Sequence, residues 1–346
     1  LLPSCQESVQ KGTDLQKGTD FSDIKGQYAA KRALEIAAAG GHNLLLVGPP
    51  GSGKSMLAGA LPGILPTLTY QESLETSMLY SIAGLLPANA GLLSARPFRA
   101  PHHTATKVAL TGGGKESRPG EVSLAHNGVL FLDELPLFGR PILECLRQPL
   151  EERRITITRQ KYSATYPCQF MLVCAMNPCP CGYLGDPTHS CTCTEVRRQN
   201  YANHLSGPLL DRMDLQIRVN PVSWEEYEGT APATEPAAES SASVRARVEA
   251  ARMLQRQRFL STDIFCNAAI PGPLVRQYCL LTPEADALLA QAFVRLGLSA
   301  RGADKILRLA RTIADLAGAE ELASCHLAEA IGYRSGQGLF SSLLNS

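Results

Sequence analysis

Apolar and polar positions follow three rhythms along this chain, and each predicts a different element. Unbroken apolar runs at 44–47, 129–132 and 170–176 read as strands covered on both faces. The stretch Ile155-Thr156-Ile157-Thr158 alternates instead, which predicts one arm of a hairpin over about 153–167. Helical periodicity runs from Ser243 to Leu260, again behind the cap signal Thr282-Pro283-Glu284, and from Ser299 toward Ala317, where Gly318 stops it. Small polar residues at 231–243 (APATEPAAESSAS) and the near-duplicate QKGTDLQKGTD read as linkers. These rhythms predict a tail over 1–20, an α/β core over 21–230, a linker over 231–243, and a connecting helix with a helical lid over 244–346.

Composition narrows the class without choosing a function. Forty-five per cent of residues are apolar and 19% are charged, so the chain is globular rather than disordered. Thirty-three basic residues against 32 acidic ones leave a net charge of +1, so any nucleic-acid surface has to be local. No apolar run reaches the ~18 residues of a membrane span, which predicts a protein without a membrane partner. Eleven cysteines, an odd number with a metal-like cluster, suit a reducing cytoplasm. The first residue is Leu1, and the polar repeat behind it reads as the linker of a longer chain.

Chemistry concentrates where the strands end. The 44–47 strand runs into GPPGSGKS and then a helix-like segment. The backbone of Gly48, Pro49, Pro50, Gly51, Ser52 and Gly53 can turn its N–H groups toward phosphates. Lys54 can reach the β and γ phosphates, and the Ser55 hydroxyl can bind Mg2+, so ATP with magnesium is the expected ligand. The 129–132 strand ends in Asp133 and Glu134, two carboxylates at the rim where open α/β sheets bind ligands. Asp133 suits the metal and Glu134 the attacking water. The 170–176 strand ends in Asn177, an amide able to hold that water or sense the γ phosphate.

Four cysteines sit as CPC and CTC: Cys179, Cys181, Cys191 and Cys193. Four thiolates close a tetrahedral shell, so a structural Zn2+ is expected, with His189 as a possible substitute ligand and two disulfides or free thiols as alternatives. Arg153, Arg154, Arg159 and Lys161, with Tyr162, give the predicted hairpin a basic tip fit for a phosphate backbone, or simply a solvated one. Arg245, Arg252 and Arg256 form one stripe of the helix after the linker and read as a solvated face.

With strand, phosphate loop, DE strand and strand-Asn in that order, the chain resembles AAA+ P-loop ATPases. In that resemblance Gly48–Ser55 is similar to Walker A, Asp133–Glu134 to Walker B and Asn177 to sensor 1. SGPLLDRMD resembles the arginine-finger element, which implies that Arg212 acts in a neighbour's site and that the protein is a homo-oligomer. From the residues alone, Arg212 pairs equally well with Asp211 or Asp214. Arg301 resembles the sensor 2 arginine, with Arg308 as a second candidate.

The insertion over about 67–125 carries RPFRAPHHTAT, and with NPCPCG and KILRLARTIADL it resembles the magnesium-chelatase-like AAA+ proteins of the ComM/YifB type. That resemblance implies a hexameric ATP-driven motor with single-stranded or branched DNA through its pore, similar to branch-migration helicases of natural transformation. Arg96, Arg99, His102, His103 and Lys107 then read as a second DNA-contacting loop. A magnesium-chelatase-type motor subunit or a protein-remodelling ring is the alternative.

Overall fold

The computed structural model describes residues 19–335, apart from 88, 90, 115–116, 159–162, 187 and 229–238. Five strands pair into one parallel sheet in the order β2-β5-β8-β1-β9. They are β1 (Leu44–Val47), β2 (Phe98–Arg99), β5 (Val129–Leu132), β8 (Met171–Met176) and β9 (Leu215–Arg218). Two short ladders lie outside this sheet, β3 (Gly112–Gly113) with β4 (Arg118–Pro119), and β6 (Arg154–Thr158) with β7 (Ser163–Pro167).

The unbroken apolar runs follow from the sheet's two covered faces. Leu44, Leu46, Val129, Phe131, Val173 and Ala175 enter one core, while Leu45, Val47, Leu130, Leu132, Leu172 and Cys174 enter the other. Side chains alternate sides along a strand, so a strand buried on both faces carries no polar position. Helix α1 (Tyr28–Gly40) and α2 (Lys54–Ala60) help build the first core. In the predicted insertion, α3 (Tyr70–Ile82) starts at a capping box made by Thr69 and Glu72.

The β6–β7 hairpin buries Ile155 and Ile157 while Thr156 and Thr158 face solvent, as alternation predicts. Its turn, with Arg159, Lys161 and Tyr162, lies outside the described residues.

The second domain is helical: α4 (Ser241–Arg258), α5 (Pro283–Arg295), α6 (Ala300–Leu316) and α7 (Ser324–Ser335). Ser240 caps α4, which begins three residues before the expected 244. Ser241 accepts a bond from the Phe21 amide and donates its own amide to Asp20, so the start of the core is stitched to the second domain. Thr282 and Ser299 cap α5 and α6 at the expected positions.

The lid docks at the amino ends of the strands, opposite the edge where the phosphate loop leaves β1. Asp214, just before β9, bonds the Asn43 amide at 3.1 Å and pairs with Lys305 of α6 at 3.1 Å and with His42 at 3.7 Å. Burial works against its charge, but Lys305 and His42 hold the Asp214 carboxyl well below the usual range. His42 also meets Thr312 at 2.8 Å, and Asn267 bonds both Thr312 and Asp315. Asp315, fully buried, takes Arg258 at 2.6 Å and the buried Arg311 at 3.0 Å.

The arginine stripe of α4 is not the solvated face its spacing suggests. Arg245 donates to the Gly63 carbonyl, Arg252 to those of Ala38 and Phe265, and only Arg256 is exposed. Among the described residues no helix is long and apolar enough to cross a membrane.

Candidate functional site

β1 delivers the loop 48–53 to the carboxyl edge of the sheet, and α2 leaves from it. Gly51 and Gly53 hold φ of 77° and 87°, the left-handed region that glycine enters without strain. A side chain at Gly48 would place its Cβ 2.2 Å from the Val219 carbonyl oxygen. Lys54 is buried, and its Nζ donates to the carbonyls of Gly48 and Pro49 at 2.8 Å and to Asn177 Oδ1 at 3.2 Å. Burial pushes the Lys54 ammonium down from its usual range, with Asp133 acting in the opposite direction. An ammonium held this way, with no carboxylate in direct contact among the described residues, could exchange loop carbonyls for phosphate oxygens.

β5 and β8 bring the remaining groups to the same edge. Ser55 Oγ donates to Asp133 Oδ2 at 2.6 Å, which sets two oxygen ligands side by side as a hard cation requires. The residues therefore fit magnesium beside a phosphate chain. Glu134 sits at φ 51°, unusual for a side-chain-bearing residue, and its amide is tied to Asp133 Oδ1 at 2.9 Å. Its carboxylate is half exposed and turns toward His103 Nδ1 at 3.4 Å. The Asn177 carbonyl accepts from Tyr201 Oη at 3.1 Å.

Two residues of this neighbourhood were not legible in the motifs. Gln27, at φ 57°, donates to the Ser52 carbonyl at 3.3 Å and to that of Asn220, bridging the phosphate loop and the end of β9. A polar Gly26-Gln27 pair ahead of an amphipathic helix was the one available signal. His103, read as a DNA contact, faces Glu134, with the His102 ring 4.1 Å away. Arg99, also expected at DNA, engages Glu121 with both arms of its guanidinium, at 2.6 and 2.7 Å. Arg96 bonds the Pro66 and Asn127 carbonyls and Glu72, so it braces the insertion's base. Lys107 stands exposed at the start of the short helix Lys107–Thr111.

Arg212 and Arg301 lie away from their own chain's phosphate loop. Arg212 bonds Glu151 and the Pro208 carbonyl, rather than Asp211 or Asp214, and its buried Nε has no partner. Arg301 is exposed one turn before Lys305, whose ammonium reaches the Asp211 carbonyl and Asp214. β1, about 13 Å long at ~3.3 Å per residue, separates that edge from Gly48. Arg301 is thus not placed to sense the nucleotide of its own chain.

The four expected thiols converge beyond Asn177. Cys179, Cys181, Cys191 and Cys193 offer sulfurs that all lie within 4.8 Å of one another, and none is in a disulfide. Three of the separations are 3.3, 3.6 and 3.7 Å. A tetrahedral thiolate shell with arms of about 2.3 Å has edges of roughly 3.8 Å, so the cluster fits a metal ion. Burial pushes the Cys179 thiol up to about 12. At Cys181 burial acts in the same sense, yet the backbone N–H groups of Tyr183 and Thr192 bring the thiol down to about 6. His189 stays outside the cluster, bonded to Thr188 and packed on Tyr183. The cysteine loop lies on the phosphate loop itself: a Cβ on Gly182 would sit 2.4 Å from Pro50 Cδ.

Comparison with known proteins agrees with this layout. Residues 20–227 match the family described as Magnesium chelatase, subunit ChlI, and residues 238–334 match its C-terminal part. The chain is 45% identical over 316 residues to the uncharacterized protein YifB of Escherichia coli K12, covering 91% of this chain and 60% of that one. It is 46% identical over 348 residues to the competence protein ComM of Haemophilus influenzae, covering 99% and 66%. The magnesium-chelatase 38 kDa subunit of Cereibacter sphaeroides is 27% identical over 183 residues, covering 47% and 54%. The chain thus spans about three-fifths of the length of the YifB relative.

Proposed function

The chain belongs to the magnesium-chelatase family of AAA+ proteins, and from that membership we propose that it is an ATP-driven hexameric DNA motor acting in branch migration. The observation that carries the ATPase reading is the meeting of Lys54, Asn177, Ser55 and Asp133 at one sheet edge. Lys54 would bind the phosphate chain, Gln27 and the loop backbone would orient it, and Asn177 would hold the attacking water. Glu134 would take that water's proton at its carboxylate. Magnesium between Ser55 and Asp133 would draw charge from the β and γ phosphates.

The ring reading is supported by Arg212 and Arg301, whose contacts lie away from their own chain's phosphate loop, so that a neighbour's nucleotide would be the one they meet. DNA is supported by the basic residues of the β6–β7 hairpin and by similarity to a competence protein over 99% of the chain. The magnesium-chelatase 38 kDa subunit itself is 27% identical over 47% of the chain, against 46% over 99% for the competence protein, which favours the DNA reading over a chelatase-type motor. The expected result is ATP turnover stimulated by single-stranded and forked DNA, fading as salt rises and in an Arg159→Ala/Lys161→Ala variant. A rate indifferent to DNA would move the assignment to a chelatase-type or protein-remodelling ring.

Zinc in the four-cysteine shell, in a cytoplasm that keeps thiols reduced, would fix the loop packed on Pro50. Purified protein is then expected to carry about one zinc per chain by elemental analysis, and a Cys191→Ser/Cys193→Ser variant almost none. Undiminished zinc in that variant would place the metal elsewhere.

A further inference from the structure

A large cleft lies away from the nucleotide site. It has a volume of about 530 Å³ and opens at the amino ends of β1, β5 and β8, between α3, α4 and the start of the hairpin. That volume is typical of small-ligand sites. Four arginines line it: Arg96, Arg153, Arg252 and Arg256.

The charges in this cleft do not balance in pairs. Two acids on its wall are already ion-paired, Glu72 with Arg96 at 2.9 Å and Asp214 with Lys305 at 3.1 Å, and the third, Glu75, meets the buried His126 imidazole at 3.3 Å. Among the described residues, Arg153, Arg252 and Arg256 have no carboxylate partner. Arg153 is half-buried, with its guanidinium carbon 4.4 Å from the centre of the Phe265 ring. Arg252 spends two donors on the Phe265 and Ala38 carbonyls and keeps a buried Nε with no partner. Gly41 lets α4 approach this closely, since a Cβ there would stand 2.8 Å from Cys266 Sγ and 3.3 Å from Arg252 Nη2.

Guanidinium groups gathered in a concave, partly desolvated wall repel one another and lose hydration. Burial pushes Arg153 down from its usual range, and the like charge of Arg308 acts in the same direction. A ligand bearing phosphate oxygens would relieve both costs, because guanidinium groups match phosphate with paired, charge-assisted hydrogen bonds.

We propose that this amino-edge cleft is a second anion site, separate from the phosphate loop, in which Arg153, Arg252 and Arg256 bind phosphate groups. The oxygens come either from a nucleic-acid backbone or from a small phosphorylated molecule. The proposal does not depend on the DNA-motor reading.

The test is calorimetric titration of the ADP-saturated protein, whose phosphate loop is then filled, with inorganic pyrophosphate and separately with a short single-stranded oligodeoxynucleotide. The expected result is salt-sensitive binding of at least one probe, weakened roughly tenfold or more in Arg153→Gln and in Arg256→Gln. Arg256 is exposed, so its variant keeps the fold even if Arg153→Gln does not. Binding of the oligonucleotide alone would identify a backbone phosphate as the ligand, and binding of pyrophosphate alone a small phosphorylated molecule. No binding by the ADP-saturated protein, or equal affinity in both folded variants, overturns the proposal.

Discussion

Glu134→Gln is expected to lower ATP turnover by about 10²–10⁴-fold while nucleotide binding persists. Glutamine keeps the shape of the side chain but cannot accept a proton. Ser55, Asp133 and Lys54, which would hold the nucleotide, are untouched by the change. A steady-state rate measured beside equilibrium binding of a fluorescent ATP analogue separates the two effects. Unaltered turnover would remove Glu134 as the base. His103 adds a contrast, since it touches Glu134 at 3.4 Å and none of the residues expected to hold the nucleotide. Its replacement by alanine should therefore alter the rate without a matching loss of binding.

Arg212→Ala should cost roughly 10³-fold in turnover, the scale of a removed arginine finger. Mixing makes the sharper experiment. Subunits carrying Lys54→Ala and subunits carrying Arg212→Ala are each expected to be inactive alone. In a mixed ring, some interfaces join an intact Lys54 to an intact Arg212, and activity should reappear there. If the mixture stays as inactive as its components, Arg212 works within its own chain or only in folding. Glu151→Ala, which frees the guanidinium from its partner in the isolated chain, should leave turnover near the wild-type level.

What the sequence reveals here is what is local along the chain. The phosphate loop, the DE strand end and Asn177 could be read because strand, turn and helix chemistry lie within a few residues of one another. The caps at Thr282 and Ser299 are local for the same reason. The four cysteines could be grouped from CPC and CTC, although only folding shows that His189 stays out of the shell. Side chains whose partners lie far away in the chain carry no such local signal. Arg99 appeared as a free basic residue until Glu121 took it up, and His103 appeared as a nucleic-acid contact until β5 brought Glu134 beside it. Arg301 was matched by motif, but its distance from the phosphate loop depends on which edge of the sheet the lid helix chooses. That choice rests on Asp214, Lys305 and His42, scattered through the chain, and nothing in SGPLLDRMD or KILRLARTIADL, where Asp214 and Lys305 stand, announces that they pair.

That docking also determines what can move. Asp214, Lys305, His42, Thr312, Asn267, Asp315, Arg258 and Arg311 form one continuous polar seam between sheet edge and helical domain. Two of these contacts cross between the domains, Lys305 with Asp214 and Thr312 with His42, and swinging the helices away from the sheet would leave the buried Asp214 without its ammonium partner. If the proposed ring forms, each chain would then act more as a lever than as a closing jaw, and a nucleotide-driven change would appear as one whole chain turning against the next.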